Sequence, residues 1–139
     1  MSQPKLYRLP NSNIRYSRWS WYNFKRYPCF LVDSYKHTLK DNWPTLECSW
    51  CIVKDKRIRI FAEYAWDGAS GPTIDTQDTA RGSLVHDALY QLIRTYRLHE
   101  IRDEADKEFR HILLTDGVPK WRAELWYNAV KHFGGKHAK

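Results

Sequence analysis

Four polar residues in the second half of the chain have the types and spacing of a general-base site: His86, Asp87, Tyr90 and Asp106. His86 and Tyr90 are four positions apart, so one face of a helix would carry both. Asp106 stands beside the apolar stripe of the next predicted helix, where a buried carboxylate needs a partner. A carboxylate bonded to one imidazole nitrogen leaves the other to take a proton from water. Hydrolytic chemistry is one interpretation, and a structural hydrogen-bond network between two helices is the other.

A glycine-rich loop, Trp66 to Thr73, lies just upstream of these residues. Glycine permits positive φ and lets backbone carbonyls approach an ion closely. Asp87 is one step around the helix from His86 and could bind a hard cation together with these carbonyls, because Ca²⁺ takes carboxylate and backbone oxygens. Ca²⁺ is therefore the expected cofactor. A tight turn without a ligand is the alternative for the loop.

Three helices are predicted to position these side chains, at about residues 79–96, 101–114 and 119–133, from the 3.6-residue spacing of apolar side chains. Gly117 suits the end of the second helix, and Gly134-Gly135 the end of the third.

Strands are predicted in the first half, at residues 30–39, 46–53 and 57–64, the last two joined by the charged turn Lys54-Asp-Lys56. The predicted fold class is α+β: a small antiparallel β-sheet from the N-terminal half packed with three C-terminal α-helices. Residues 30–139 would form this single domain.

Residues 1–29 have no clear periodicity and form a basic, aromatic N-terminal arm. The chain carries 23 Lys and Arg against 16 Asp and Glu, a formal charge of +7. Such a balance favours anionic membrane surfaces or nucleic acid as partners, and a basic surface without such a partner is the alternative. Packing of the arm on its own domain or on a neighbouring subunit is preferred, because a free tail rich in aromatic rings promotes aggregation. Oligomeric state does not follow from the sequence.

The three cysteines, Cys29, Cys48 and Cys51, cannot all pair within one chain. The sequence has no stretch typical of a signal peptide or a transmembrane segment, which favours reduced thiols in the cytosol. Cys48 and Cys51 have the spacing of a zinc knuckle but lack a matching second pair, so buried strand thiols are preferred to a structural zinc site.

The order and spacing of four motifs resemble those of an uncharacterised family of phage and prophage proteins, domain of unknown function 1353. The motifs are Asp67-Gly-Ala-Ser70, His86-Asp-Ala-Leu-Tyr90, Ala105-Asp-Lys-Glu-Phe109 and Phe133-Gly134. The resemblance covers about residues 58–135. It implies a phage or prophage origin and a location in the host cytoplasm or the virion, but no activity.

A more distant resemblance is to phospholipase A2 enzymes, notably the version built into parvovirus capsid proteins. These enzymes also combine a glycine loop, His-Asp-x-x-Tyr and, on a second helix, Ala-Asp-x-x-Phe. The resemblance implies that His86 is the base, that Asp106 orients it and that Tyr90 supports Asp106. It also makes Asp87 a calcium ligand.

By the same resemblance, the loop from Gly68 to Gly71 would supply carbonyl oxygens to calcium, and Asp67 is a further candidate ligand. The chain departs from that pattern in two ways. Its loop reads Trp-Asp-Gly-Ala-Ser-Gly instead of the tyrosine-glycine pattern, and the disulfides of the secreted enzymes are missing.

Two functions are therefore expected. The first is a Ca²⁺-dependent lipid ester hydrolase that a phage uses at a membrane. The second is a non-catalytic phage virion component or host-factor-binding protein, in which the arm packs against partner proteins. Nucleic-acid binding through the basic arm is a third and less favoured expectation, and it would weaken steeply with salt.

Overall fold

Short strands occupy the first half of the chain and helices the second, as a computed structural model shows for residues 5–18, 29–66 and 77–138, with side chains described to residue 132. Eight strands occur in these residues: β1 (Lys5–Arg8), β2 (Arg15–Arg18), β3 (Cys29–Leu31), β4 (Tyr35–Thr38), β5 (Leu46–Glu47), β6 (Cys51–Lys54), β7 (Arg57–Ile60) and β8 (Ala65–Trp66). They form two antiparallel sheets, in the orders β1-β2-β3-β8 and β4-β7-β6-β5. The predicted α+β class is confirmed, with two small sheets in place of one.

The first sheet begins with the hairpin β1–β2, which lies within the predicted arm. Tyr16 of β2 and Leu9 after β1 are fully buried, and β2 pairs with β3. Each strand has only four residues, too few for the alternation of apolar residues to stand out in the sequence. Residues 5–18 are thus part of the folded sheet.

The single strand predicted at residues 30–39 is wrong, because the chain bends at residues 32–34 and crosses from the first sheet into the second. Asp33 accepts hydrogen bonds from the backbone amide, Nε and Nη2 of Arg15. Ser34 Oγ accepts another from the amide of Ala62. These polar contacts hold the bend and separate β3 from β4.

The second sheet contains the predicted hairpin, now β6 and β7, with a two-residue turn. Asp55 and Lys56 both have positive φ, 52° and 66°, as a type I′ turn requires. Lys54 therefore belongs to β6 and pairs with Arg57, so the predicted three-residue turn is one residue too long. Ile58 and Ile60 face the core, and the arginines between and before them face outward.

Three helices follow: α1 (Ala80–Tyr96), α2 (Arg102–Thr115) and α3 (Lys120–Ala138). The two 3₁₀ turns Gln77–Thr79 and His99–Ile101 precede α1 and α2. The three helices are confirmed, but the predicted end of α3 at Gly134-Gly135 is wrong. A glycine costs a helix only about 1 kcal/mol and stops it only where the chain turns left-handed.

Gly117, unlike the two glycines within α3, has a left-handed backbone with φ of 89°, and α2 ends just before it. The amide of Val118 then donates to the carbonyl of Leu113, which closes the helix end. Leu113, Val118 and Trp126 belong to a small apolar cluster between α2 and α3. Among the helices of the described ranges, none combines the length and apolar content needed to cross a bilayer.

Candidate functional site

The candidate site lies where α1 and α2 pack against each other. Gly82, His86 and Tyr90 recur every four residues along α1, so they form one stripe. A Cβ on Gly82 would lie only 3.0 Å from Leu113 Cδ2 and 3.2 Å from Phe109 Cδ1. The missing side chain therefore allows the close helix contact that holds the rest of the stripe against α2.

The structure brings His86, Tyr90 and Asp106 together in one hydrogen-bonded group. His86 Nε2 lies 2.8 Å from Asp106 Oδ1, and the Tyr90 hydroxyl donates to the same oxygen over 2.6 Å. The exposed fractions are 8% for His86, 4% for Tyr90 and 1% for Asp106. The His86 ring also packs between Tyr90 and Phe109, with ring centroids 4.1 Å and 4.9 Å away. The imidazole is therefore held in one orientation.

The hydrogen-bond directions follow from chemistry. Burial, followed by the bond to Asp106, raises the pKa of Tyr90, so its hydroxyl keeps its proton and acts as a donor. Asp106 Oδ2 is buried without a partner among the described residues. The carboxylate thus depends on the two donors at Oδ1.

His86 Nδ1 is the nitrogen left for chemistry. Asp106 accepts the proton on Nε2, so the neutral ring carries its lone pair on Nδ1. No side chain or backbone group in the described part of the chain hydrogen-bonds to Nδ1, and the His86 side chain is 10% exposed. This arrangement can remove a proton from a small molecule such as water.

Asp87 lies apart from this group, in a groove of about 380 Å³. Three aromatic residues line the groove, Trp50, Tyr64 and Trp66, together with the charged side chains of Glu63 and Arg94. Burial, and after it the negative charge of Asp87, raises the pKa of Tyr64. His86 is not among the described residues that line this groove.

The described residues supply only part of a calcium site. Asp87 and Glu63 bring two carboxylates to the groove, whereas Ca²⁺ takes about six to eight oxygens. Within residues 5–18, 29–66 and 77–138 there is no group of three His, Cys, Asp or Glu side chains suited to a metal ion. The other predicted ligands, Asp67, Gly68 and Gly71, lie outside the described residues.

The cysteines occupy two settings: Cys29 lies in the first sheet, and Cys48 and Cys51 lie together at the second. Cys29 is buried in β3, Cys51 is buried in β6 and Cys48 is half-buried just before it. The two sulfurs of Cys48 and Cys51 are 3.6 Å apart, and both thiols are free.

A second histidine–carboxylate pair escaped the sequence analysis. His37 Nε2 of β4 lies 3.0 Å from Glu108 Oε2 of α2, and the Lys40 amide donates to Glu108 Oε1 over 2.7 Å. The available signal was the alternation of β4, which places Tyr35 and His37 on one face. A histidine on an inward face needs a polar partner, but the sequence does not reveal which residue that is.

Comparison with known proteins assigns the family. The model of the family described as "Protein of unknown function (DUF1353)" matches residues 45–130, which include α1, α2 and most of the second sheet. The chain belongs to this family. A search of curated proteins and a search of solved structures each found no match.

Proposed function

We propose that this protein is a phage-encoded hydrolase of lipid carboxylic esters in which His86 is the general base. The observation that carries the proposal is the bond from His86 Nε2 to Asp106 Oδ1, which leaves Nδ1 facing no described partner. This is the nitrogen arrangement that the resemblance to phospholipase A2 implies for its base. In this proposal the Tyr90 hydroxyl, which donates to Asp106 Oδ1, supports the carboxylate.

The chain's own residues account for the proton transfers. His86 Nδ1 takes a proton from water as the water oxygen attacks the ester carbonyl carbon. The ring is then positively charged, and the Asp106 carboxylate stabilises that charge across the 2.8 Å bond. When the carbon–oxygen bond of the ester breaks, the proton passes from Nδ1 to the departing alkoxide, which restores the neutral ring.

Calcium belongs to the proposal as the electrophile. Asp87 and oxygens of Asp67, Gly68 and Gly71 would hold it, and Glu63 stands in the same groove as Asp87. When bound, calcium would polarise the ester carbonyl and stabilise the charge that develops on its oxygen. The net charge of +7 favours an anionic lipid surface as the place of action.

The test is fatty-acid release from mixed anionic phospholipid vesicles, with and without calcium. His86→Gln is the informative variant, because its side-chain amide can still donate to Asp106 but cannot act as a base. Loss of this base should lower the rate by about 10²–10⁴-fold while the melting temperature changes little. His99→Gln, at an exposed histidine, is the matched control and should keep full activity.

A second candidate is a non-catalytic virion component or host-factor-binding protein. Two exposed apolar side chains at helical spacing favour it: Trp121 is 65% exposed and Leu125 42% exposed, one turn apart on α3. A protein contact at this turn of α3 would bury both side chains. The same assay separates the candidates. No release by the wild-type protein, together with a large loss of stability in His86→Gln, would leave the His86 network as a structural link.

A further inference from the structure

A second cavity in the described part of the chain is distinct from the site above. It has a volume of about 610 Å³, within the range of small-molecule pockets. Five parts of the fold line it: the β1–β2 loop, the edge strand β4, the neighbouring strand β7, the first turn of α1 and the last turns of α2. Neither His86 nor Asp106 lines it.

The lining of this cavity is cationic. Lys36, Arg59 and Arg81 line it, together with two histidines, and no described lining residue is a carboxylate. Two acids that hydrogen-bond to lining residues are shielded, because the Asp116 side chain is 0% exposed and that of Glu108 is 3% exposed, and Asp33 beside Ser34 is paired with Arg15. Asp116 also accepts two hydrogen bonds from Arg81, through Nε and Nη2. Arg81 is thus neutralised, and two uncompensated charges remain.

Lys36 and Arg59 carry those two charges, and the sheet places them side by side. They are directly paired across β4 and β7, and both are exposed. Neither forms an ion pair with a carboxylate in the described ranges. Like charges directly opposite each other destabilise a sheet. A bound anion would remove that repulsion.

Two serine hydroxyls in the lining are free to donate their protons. Ser12 Oγ accepts the amide of Ile14 over 2.9 Å, and Ser34 Oγ accepts the amide of Ala62 over 3.2 Å. Each oxygen is thus engaged as an acceptor, and its own proton is available to donate. Donors and cations together are what an anionic oxygen group requires.

We propose that this cavity binds the phosphate group of a small phosphomonoester. A phosphomonoester carries close to two negative charges near pH 7, which matches the pair Lys36 and Arg59. The cavity is much larger than a phosphate group, and the half-buried Ile14 offers an apolar surface for the rest of the molecule. The site is independent of the proposed hydrolase reaction.

The test is calorimetric titration of the full chain with phenyl phosphate, with sodium sulfate at equal ionic strength as the comparison anion. The double variant Lys36→Gln/Arg59→Gln removes the two charges of the cavity. The double variant Lys54→Gln/Arg57→Gln is the matched control: it removes another directly paired couple of exposed cations from the same sheet, outside the cavity.

We expect saturable binding of phenyl phosphate that weakens at least about tenfold in the cavity variant and stays unchanged in the control variant. Because Lys36 and Arg59 are exposed, both variants should melt at or above the wild-type temperature. Phosphatidate vesicles test whether the phosphate group belongs to a soluble molecule or to a lipid. Binding of phenyl phosphate but not of vesicles assigns a soluble ligand. Binding of vesicles that is lost in the cavity variant assigns a lipid headgroup. Absence of saturable binding, equal loss in both variants, or equal binding of sulfate would overturn the proposal.

Discussion

Removing one hydroxyl group from Tyr90 tests the organisation of the candidate site. The Tyr90→Phe variant keeps the ring and its contact with His86 but loses the 2.6 Å hydrogen bond to Asp106. A hydrogen bond to a charged partner contributes roughly 1.5–3 kcal/mol. The bond here goes to a carboxylate whose other oxygen is buried without a described partner. We therefore expect the free energy of unfolding to fall by about 2 kcal/mol.

Tyr96→Phe provides the matched control on the same helix. Its hydroxyl also donates over 2.6 Å, but to the backbone carbonyl of Glu47, and Tyr96 is 44% exposed. Water can replace that bond, so the expected loss is only about 0.5–1 kcal/mol. The two variants remove the same atom and differ in the burial and charge of its partner; Tyr96→Phe also removes a longer, 3.3 Å bond from the Glu47 amide.

Urea unfolding followed by circular dichroism measures both losses. The dependence of the free energy on urea should stay the same, since neither variant changes the surface that unfolding exposes. For a chain of this size, the melting temperature of Tyr90→Phe should fall by roughly 6–10 °C. Equal losses in the two variants, or a loss below about 0.5 kcal/mol for Tyr90→Phe, would refute the view that Tyr90 holds the carboxylate in place.

Two further predictions concern contacts that hold α2, the helix that carries Asp106, against its neighbours. Burial by itself raises the pKa of Glu108, but hydrogen bonds from His37 and the Lys40 amide outweigh burial, so the pKa lies below its ordinary value of 4.5. The stability that the ionised carboxylate provides is therefore lost as the pH falls below about 4.5. Across pH 3–7, the urea midpoint of wild type should exceed that of Glu108→Gln by an amount that shrinks in acid, and Glu100→Gln is the exposed control. A difference in midpoint that stays constant with pH would contradict a lowered pKa for Glu108. Gly82→Val should cost about 2 kcal/mol in thermal unfolding, because its side chain would collide with Leu113 and Phe109; an unchanged melting temperature would show that α1 and α2 do not depend on this close contact.

The helices and the His86 group could be predicted because their signals are local. An apolar stripe fixes the face of each helix, and residues four positions apart share that face, so antiparallel packing of α1 and α2 is enough to bring Asp106 to His86 and Tyr90. The bend between β3 and β4 could not be predicted, because Arg15 and Ala62 supply the donors that hold it from distant parts of the chain.

The cavity and the His37–Glu108 pair depend on similar distant contacts. His37 and Glu108 are 71 positions apart, and no spacing rule connects a residue of an edge strand to a helix that far along the chain. Asn11 likewise reaches Asp116 across 105 positions. Such pairings are decided by how the sheets and helices pack, which periodicity within one element does not reveal.

The two buried acids of α2 connect this helix to two different parts of the protein. Asp106 is tied to α1, and Glu108, two positions on, is tied to β4 and to the Lys40 amide on the opposite side. Moving α2 away from either neighbour would leave a buried carboxylate without its hydrogen-bond donors. The free-energy cost would be far above that of losing apolar contact alone. Partial opening at α2 is therefore suppressed, and its amide protons should exchange with solvent in the same slow cooperative event as those of α1 and the second sheet.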